Sequence, residues 1–398
     1  MEIKKRRKDK SSRIFITGGT GFLGSHVAAG LLDKGYSVVL LARSKKGLSA
    51  EERVRRLLGW HGVEQAKRRN VQVIEGAVDN PGLGIGPVVL TRLSGEIDEI
   101  IHCASETSFS ERKRADAEAV NIIGLRNVLD FAAQGRCHFF HHLSTAYVAG
   151  KVAGRCPEEL PDPPGFFNVY EETKCLGEKT AWVRCRDAGI RLSIYRPSIV
   201  YGDSRTGKSL IFNALYYPVK AALFLKSIFE RDIKERDGKR AAAMDVRLEE
   251  EGFIHLPIRM EVRNGGGLNL VPVDFVTRAF LSLFEEALDG GVFHLVNNRL
   301  KRIEDIIDYA NRHFRLRGIR AAGTEDFDAK PKNALEMLFD SYLEAYGPYM
   351  RDTRVFDTGR SGAILSENGV HCPDFDYEVF ARCMDYAVHS DWGSKIFL

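Results

Sequence analysis

A glycine-rich turn near the start of the chain limits its fold more than any other feature of the sequence. The segment TGGTGFLG (17–24) places glycines at 18, 21 and 24, directly after the apolar run RIFI and before the helical pattern FLGSHVAAGLLDKG. A strand, a glycine turn and a helix in this order let the backbone approach a pyrophosphate, which then lies at the positive helix N-terminus. The segment therefore predicts the first βαβ unit of a dinucleotide-binding domain.

Apolar runs alternate with helical patterns through the first half of the chain. Further candidate strands cover 37–43, 70–76, 99–105, 138–148 and 191–202, and candidate helices cover 22–35, 115–134 and 168–188. Near-continuous apolar strands joined by helices indicate a parallel sheet that is covered on both faces. The sequence predicts an α/β fold: a Rossmann-type, doubly wound parallel sheet with a smaller, mainly helical C-terminal region that binds the substrate.

The strict alternation ends near residue 205, and this sets the expected domain boundaries. We expect a basic flexible tail at 1–12, a nucleotide-binding Rossmann domain at 13–205 and a substrate-binding region at 206–398, with about 267–300 rejoining the Rossmann core. The run KKRRK (4–8) carries much of a net charge of only +4, so no nucleic-acid partner is expected.

Cysteine usage bears on the compartment and on metal binding. Seven cysteines are scattered without a C-x-x-C pair or a His/Cys cluster, and no apolar segment follows the basic N-terminus. This usage indicates reduced thiols, a cytoplasmic protein, no metal site and no secretory signal.

The end of the second predicted strand bears on which dinucleotide is bound. An acid at this position usually binds the ribose diol of NAD, but here Arg43, Ser44 and Lys45 follow the strand. Cationic side chains at this point can pair with a 2′-phosphate. The sequence therefore favours NADPH (NADP) over NADH.

A tyrosine and a lysine are spaced to lie on one face of the helix predicted at 168–188. Tyr170 and Lys174 are four residues apart, so their side chains are neighbours. A nearby ammonium is expected to lower the tyrosine pKa from about 10, which makes the phenol a better acid–base group. Ser144 and Thr145 follow the preceding strand, at the sheet edge where ligands bind. Together these side chains predict a site that holds and protonates a carbonyl oxygen.

The segment GDSRTGKS (202–209) fits G-x-x-x-x-G-K-[ST], the phosphate-binding loop of nucleoside triphosphatases. It follows a late strand, whereas the cofactor loop of this sheet already lies at 18–24, and no strand-end Asp suited to magnesium follows it. We interpret 203–209 as an ordinary polar loop.

The longest apolar stretch is LIFNALYYPVKAALFLKSIF (210–229), which Pro218, Lys220 and Lys226 interrupt. These residues make a membrane-spanning helix unsuitable. The stretch predicts a core helix, a wall of a substrate channel or an interfacial helix, so peripheral membrane contact stays open.

The glycine loop, the Ser/Thr pair and Y-x-x-x-K, in this order, resemble the extended short-chain dehydrogenase/reductase superfamily over about residues 13–300. Within it, the segments EGAVDNPGLGI, HCASETSFSERKRADAEAVNIIGLRNVLDFA and NLVPVDFVTRAF are most similar to fatty acyl-CoA and carrier-protein thioester reductases of the male-sterility type. The resemblance implies catalytic roles for Thr145, Tyr170, Lys174, Ser144 and Asn121, the last organising its helix and proton relay. The cofactor-binding residues that it implies are Thr17, Gly18, Gly21, Phe22, Leu23, Gly24, Arg43, Ser44, Lys45, Ala104, Lys174, Arg196, Pro197 and Ser198.

The resemblance implies an NADPH-dependent reductase that converts an acyl thioester, carried by coenzyme A or an acyl-carrier protein, to an aldehyde; a second hydride would give the alcohol. Two alternatives remain open at this stage. A hydroxysteroid dehydrogenase or a nucleotide-sugar epimerase or dehydratase would use the same Thr/Tyr/Lys trio. An NADP-binding sensor or scaffold would need none of the trio. Acyl length and oligomeric state are open as well.

Overall fold

The computed structural model of the chain describes residues 8–262 and 266–396. Most of the basic run at 4–8, and most of the tail predicted at 1–12, lie outside the described residues. From Lys8 onward the chain contacts the sheet, because Lys8 Nζ lies 2.6 Å from Glu99 Oε2 in a nearly buried ion pair.

Seven strands form the central sheet, and shorter strands form small sheets of two or three strands outside it. In chain order they are β1 (Arg13–Thr17), β2 (Ser37–Ala42), β3 (Val71–Glu75), β4 (Glu99–His102), β5 (Phe139–Leu143), β6 (Gly154–Cys156), β7 (Arg191–Pro197), β8 (Ile199–Tyr201), β9 (Arg247–Leu248), β10 (Ile254–His255), β11 (Arg259–Glu261), β12 (Gly267–Leu268), β13 (Leu270–Pro272), β14 (Gly291–Leu295), β15 (Lys301–Arg302), β16 (Leu316–Arg317), β17 (Arg320–Ala322) and β18 (Arg354–Phe356).

The helices lie between these strands and dominate the C-terminal part. They are α1 (Phe22–Asp33), α2 (Ala50–Trp60), α3 (Pro87–Glu96), α4 (Arg114–Glu118), α5 (Leu125–Ala133), α6 (Val169–Asp187), α7 (Tyr216–Glu235), α8 (Lys239–Ala243), α9 (Val273–Glu286), α10 (Ile303–Phe314), α11 (Thr324–Ala329), α12 (Ala334–Leu343), α13 (Gly347–Met350), α14 (Gly359–Glu367) and α15 (Tyr377–His389). A π-helical turn, Ala119–Gly124, joins α4 to α5.

The central sheet confirms the predicted α/β, Rossmann-like fold. Its seven strands follow the order β14-β7-β5-β4-β1-β2-β3, and every neighbouring pair is parallel. The chain moves outward from β1 through β2 to β3 and then crosses back to β4 on the other side of β1. The carboxyl ends of β1 and β4 therefore form the switch point where a sheet of this kind binds its ligand.

Apolar layers cover both faces of the sheet. On one face α1 packs against α9, and the close approach depends on Gly30, because a Cβ there would lie 2.6 Å from Leu281 Cδ1. On the other face Leu93, Val128 and Ala181 belong to a core cluster supplied by α3, α5 and α6. Burying such side chains is the main favourable contribution to the stability of the sheet.

The C-terminal part is joined to the sheet at several points. The chain leaves after β8, returns to the central sheet at β14, and meets the first half again where β18 pairs with β6. A separate apolar cluster lies among α7, β10, β11, α10 and α12. This cluster surrounds the inner part of the cavity described below.

Candidate active site

The glycine loop runs so close to the segment after β4 that side chains are excluded from it. Gly18 has φ +70°, and a Cβ there would lie 2.4 Å from the backbone nitrogen of Ala104. A Cβ at Gly24 would lie 2.3 Å from the carbonyl oxygen of Gly18. Thr17, just before the loop, is buried and its hydroxyl is hydrogen bonded to His102 Nδ1 at 2.9 Å. Thr17 and Ala104, both predicted to bind the cofactor, lie next to the loop but are not among the residues that line the cavity.

The N-terminus of α1 is suited to an anion. The helix begins after Gly21 without a side-chain cap and without an acidic residue in its first turn. Its first N–H groups and its positive dipole end are therefore available to a pyrophosphate. Gly18, Gly21, Phe22, Leu23 and Gly24 all line the cavity at this point.

The guanidinium of Arg53 lies between the glycine loop and Arg43, which directly follows β2. Arg53, on α2, donates from Nη2 to Thr20 Oγ1 at 3.2 Å and from Nη1 to the carbonyl oxygen of Arg43. Burial, followed by the charge of Arg43, lowers the pKa of Arg53. Within the described residues no carboxylate pairs with either arginine. The sequence analysis did not identify Arg53, because only the packing of α2 places it at the loop.

The other predicted residues after β2 are exposed. Ser44 donates its hydroxyl to Glu75 at the end of β3, and Lys45 closes a tight turn through backbone hydrogen bonds with Leu48 at 3.0 and 3.1 Å. Arg53 is therefore the cation for which a hydrogen bond to the glycine loop is seen among the described residues.

Thr145 and Tyr170 both line the cavity; the Thr145 hydroxyl donates to the carbonyl oxygen of Pro197 at 3.4 Å and accepts from the Tyr147 backbone at 3.3 Å. Burial raises the pKa of Tyr170 to about 12, and the polar side chain of Thr145 opposes that shift. At neutral pH Tyr170 is therefore a neutral phenol that can donate a proton. The ring of Phe109, a residue that the sequence analysis did not identify, lies 5.9 Å from that of Tyr170.

Lys174 lies one helical turn beyond Tyr170, as the spacing predicts. The N-cap Asn168 accepts a hydrogen bond from the Glu171 backbone at 3.1 Å and so fixes the start of α6. Lys174 Nζ donates to the carbonyl oxygen of Leu143 at 2.7 Å, and burial lowers the pKa of Lys174 to about 8. The expected lowering of the Tyr170 pKa is wrong for this structure, because burial of the phenol outweighs the other influences on it.

Ser144 and Asn121 complete the predicted catalytic group in different ways. Ser144 lines the cavity, and its buried hydroxyl has no hydrogen-bond partner among the described residues. Asn121 lies in the π-helical turn; its Nδ2 donates to Thr173 Oγ1 at 3.0 Å and its Oδ1 accepts from the Glu106 backbone at 2.9 Å. Asn121 therefore positions α6 and the segment after β4 and does not line the cavity.

Arg196 requires a correction, because its side chain does not face the cofactor site. Its guanidinium forms a buried, bidentate ion pair with Glu178, at 2.9 Å from Nε to Oε1 and 2.6 Å from Nη2 to Oε2. Alternation along β7 directs Arg196 and Pro197 to opposite faces of the sheet. Pro197 and Ser198 do line the cavity.

One cavity of about 840 Å³ connects these groups to the C-terminal part of the chain. It begins at the glycine loop, passes Thr145, Tyr170 and Lys174, and continues between α7, α10 and α12. We call this inner part the apolar chamber; its walls are Val219, Ala222, Met260, Leu268, Ile303, Ile306, Ile307, Leu316, Ile319, Phe339, Tyr342 and Met350.

The segment 202–209 forms a closed loop and not a phosphate cradle. The backbone N–H groups of Arg205 and Thr206 donate to the carboxylate of Asp203 at 3.0 and 2.9 Å. The Gly207 N–H donates to the Asp203 carbonyl at 2.8 Å. Because the loop satisfies these donors itself, they are not available to a phosphate, in agreement with the sequence-based interpretation.

Neither a membrane-spanning helix nor a metal site is found in the part of the chain that the structure describes. Between residues 8 and 262 and between 266 and 396, no helix is both long and apolar enough to cross a membrane. Over the same ranges, no three His, Cys, Asp or Glu side chains gather in a way that could hold a metal ion.

Comparison with known proteins agrees with this geometry. Residues 16–280 match the NAD-binding family described as "Male sterility protein". A putative fatty acyl-CoA reductase of Drosophila melanogaster is 28% identical over 225 residues, which cover 48% of this chain and 41% of that protein. The chain spans only 7%, 20% and 41% of the length of three curated relatives.

Solved structures show the same fold. The terminal R domain of the myxalamid PKS-NRPS biosynthetic pathway superposes with a TM-score of 0.75 at 23% identity, covering 96% of this chain and 92% of that one. A thiolation-reductase di-domain from an archaeal non-ribosomal peptide synthetase gives a TM-score of 0.73 at 18% identity, covering 98% and 78%. The chain therefore belongs to the male-sterility NAD-binding family of extended short-chain dehydrogenases/reductases, a family of NAD(P)H-dependent oxidoreductases.

Proposed function

We propose that the chain reduces an acyl thioester to an aldehyde with NADPH. The observation that carries the proposal is the single cavity that joins the glycine loop, the Thr145–Tyr170 hydroxyl pair and the apolar chamber. A thioester carbonyl held at the hydroxyl pair would leave its acyl chain in the chamber, where aliphatic and aromatic side chains bury it.

The chamber favours an acyl chain over a nucleotide sugar. Among the described residues that line the cavity, only Glu106, Lys113 and Lys174 carry a charge, and Lys174 belongs to the catalytic group. A nucleoside diphosphate would bring two negative charges into the substrate side of the cavity, and such groups are usually bound by arginine forks. In contact with an apolar wall, each buried methylene of a ligand makes the free energy of binding more favourable.

The choice of NADPH is supported by Arg43 and Arg53. The guanidinium of Arg53 lies beside Thr20 of the glycine loop, and the pKa of Arg53 is lowered by burial and by the nearby charge of Arg43. A 2′-phosphate placed between them would relieve this repulsion and accept charge-assisted hydrogen bonds. The ribose of NADH offers no such charge.

The chemistry follows from the protonation states of the site. NADPH supplies the hydride to the thioester carbon. Thr145 and Tyr170 hold the carbonyl oxygen, and the neutral phenol of Tyr170 donates its proton to the oxyanion as it forms. Lys174, one helical turn away, supplies positive charge near the phenolate that remains. The resulting hemithioacetal breaks its C–S bond, a proton passes from its hydroxyl to sulfur, and an aldehyde and a thiol leave.

We further propose that the thioester arrives on a carrier. The superposed structures include a thiolation-reductase di-domain, in which a carrier and a reductase share one chain. The putative fatty acyl-CoA reductase of D. melanogaster makes coenzyme A the second candidate carrier. The two substrates share the thioester and its pantetheine arm, so the same cavity would serve both.

The test is a substrate panel followed by NADPH absorbance. We expect oxidation of NADPH with acyl-CoA or acyl-carrier thioesters, and no reaction with UDP-sugars or 3-ketosteroids. Turnover of a sugar nucleotide or a steroid in place of thioesters would establish the alternative dehydrogenase or epimerase. Binding of NADPH without turnover of any carbonyl compound would favour a sensor. The ratio of NADPH consumed to thiol released distinguishes aldehyde from alcohol as the product.

Tyr170→Phe is the variant that tests the chemistry. It removes the proton donor and keeps the ring, so we expect kcat to fall by about 10²- to 10⁴-fold with little change in NADPH affinity. Tyr217→Phe is the matched control, because it removes a hydroxyl from another tyrosine of the cavity wall. Equal activity of Tyr170→Phe and the wild type would contradict the mechanism.

A further inference from the structure

A second cavity, of about 360 Å³, lies directly behind the apolar chamber. Within residues 8–262 and 266–396, the two cavities have only two lining residues in common, Met260 and Met350. The partition between the chamber and what we call the outer cavity therefore consists of these two side chains and, beside them, of α12, whose Phe339 and Tyr342 line the chamber and whose Asp340 and Ser341 line the outer cavity.

The two sides of this partition differ sharply in polarity. On the chamber side the neighbours include Ile319 and Phe339, which belong to the buried apolar cluster of the C-terminal part. On the outer side Glu261, Lys332, Asp340, Glu344 and Arg351 line the cavity.

The charged groups of the outer cavity pair with one another. Arg351 Nη1 lies 3.3 Å from Glu261 Oε1, and Lys332 Nζ lies 2.6 Å from Asp340 Oδ2. The side chains of these pairs are between 30% and 50% exposed, so water reaches this side. An apolar chain gains free energy as far as the partition and gains little beyond it.

At Met260 and Met350 the partition consists of side chains. Met260 is the central residue of β11, where it pairs in register with Ala321 of β17, so its backbone position is fixed. Met350 is the last residue of α13. A methionine side chain has three rotatable bonds and adapts its shape to its neighbours. A wall made of two methionines is therefore set by side-chain volume and can be changed without moving a strand.

We propose that Met260 and Met350 form the end wall of the acyl chamber and set the longest acyl chain that the enzyme binds in full. This inference rests on the proposed function for the identity of the chain in the chamber. Up to the wall, each further methylene is buried and raises affinity about fourfold. Past the wall, a chain meets water and the charged outer cavity, so affinity stops rising with length.

The test measures where that rise stops. The melting temperature of the protein with saturating NADPH is recorded with straight-chain fatty alcohols of increasing length, each below its solubility limit. The same length series of acyl-CoA substrates gives kcat/KM from NADPH oxidation. For the wild type, both the temperature shift and kcat/KM are expected to rise with length and then level off at one chain length.

Met260→Ala, Met350→Ala and the double variant open the wall, because each change removes three heavy atoms. We expect the levelling point to move to longer chains, by about two or three methylenes for each change, with about fourfold tighter binding for each methylene newly buried. The matched control is Met244→Ala, since Met244 packs against the same apolar cluster but lines neither cavity. The control should keep the wild-type levelling point.

A filling variant covers the case in which the opened variants do not fold. Met350→Phe enlarges the side chain at the wall and is expected to move the levelling point to shorter chains. An unchanged levelling point in both the opening and the filling variants, or no response of the wild type to any fatty alcohol, would overturn the inference. If the variants shift the levelling point for alcohols but the protein reduces no thioester, the inference about the end wall is supported and only the proposed function is refuted.

Discussion

Arg53→Ala tests whether the structure distinguishes NADPH from NADH. The guanidinium of Arg53 lies 3.2 Å from Thr20 Oγ1 of the glycine loop and donates to the backbone of Arg43. A hydrogen bond to a charged group contributes about 1.5–3 kcal/mol, so, if Arg53 binds the 2′-phosphate as proposed, its loss should weaken NADPH binding about 10- to 150-fold. NADH lacks the phosphate, and its affinity should change by less than about threefold.

The assay is titration of nucleotide fluorescence, which gives Kd for each cofactor without any acyl substrate. Arg55→Ala is the matched control, because Arg55 lies on the same helix with a largely exposed side chain, 3.9 Å from Glu52. It should bind both cofactors as the wild type does. A rising salt concentration should weaken NADPH binding more in the wild type than in Arg53→Ala, since one charge contact has been removed. Equal losses for NADPH and NADH would refute the reasoning and would indicate that Arg53 only supports the loop.

Three further predictions follow from the site and its surroundings. The lowered pKa of Lys174 is about 8, so its ammonium is lost as the pH rises through that value. We therefore expect kcat/KM for NADPH in the reductive direction to fall about tenfold for each pH unit above 8. A flat profile from pH 7 to about 10 would contradict a role for the charge of Lys174. Glu178→Ala removes the carboxylate that pairs with the buried guanidinium of Arg196. We expect the free energy of unfolding, measured in urea, to fall by about 3–5 kcal/mol. An unchanged midpoint of urea unfolding would contradict a stabilising role of this ion pair. Gly18→Ala places a side chain on a residue with φ +70° and brings its Cβ into collision with the backbone of Ala104. Calorimetry should therefore detect no NADPH binding to this variant. Wild-type affinity would show that the loop does not require glycine at this position.

The parts of the site that the sequence predicted are those encoded by short segments. The glycine loop lies between a strand and a helix that are continuous with it, and Tyr170 and Lys174 lie on the same helix, α6, four residues apart. Local geometry determines both arrangements. The order of apolar runs was also sufficient to predict the order of the strands, because each strand predicted up to residue 202 contains a strand of the structure. The predicted boundaries extend several residues beyond the observed ones.

The parts that the sequence did not predict depend on packing between distant segments. Arg53 reaches the loop only because α2 packs against it, although an arginine ten residues after Arg43 was visible in the sequence. Arg196 was assigned to the cofactor because of its neighbours along the chain, whereas strand alternation could have separated it from Pro197. The raised pKa of Tyr170 results from burial, which spacing alone does not report.

The repeated return of the chain to the sheet has a practical consequence for engineering. β14 (Gly291–Leu295) completes the central sheet, and β18 (Arg354–Phe356) pairs with β6, so both elements lie far along the chain from the strands that they join. A chimera that exchanges everything after residue 205 with a relative would exchange an outer strand of the nucleotide-binding sheet as well. Grafting of substrate preference therefore requires replacement of individual wall residues, with the β7–β14 and β6–β18 pairings kept from one parent.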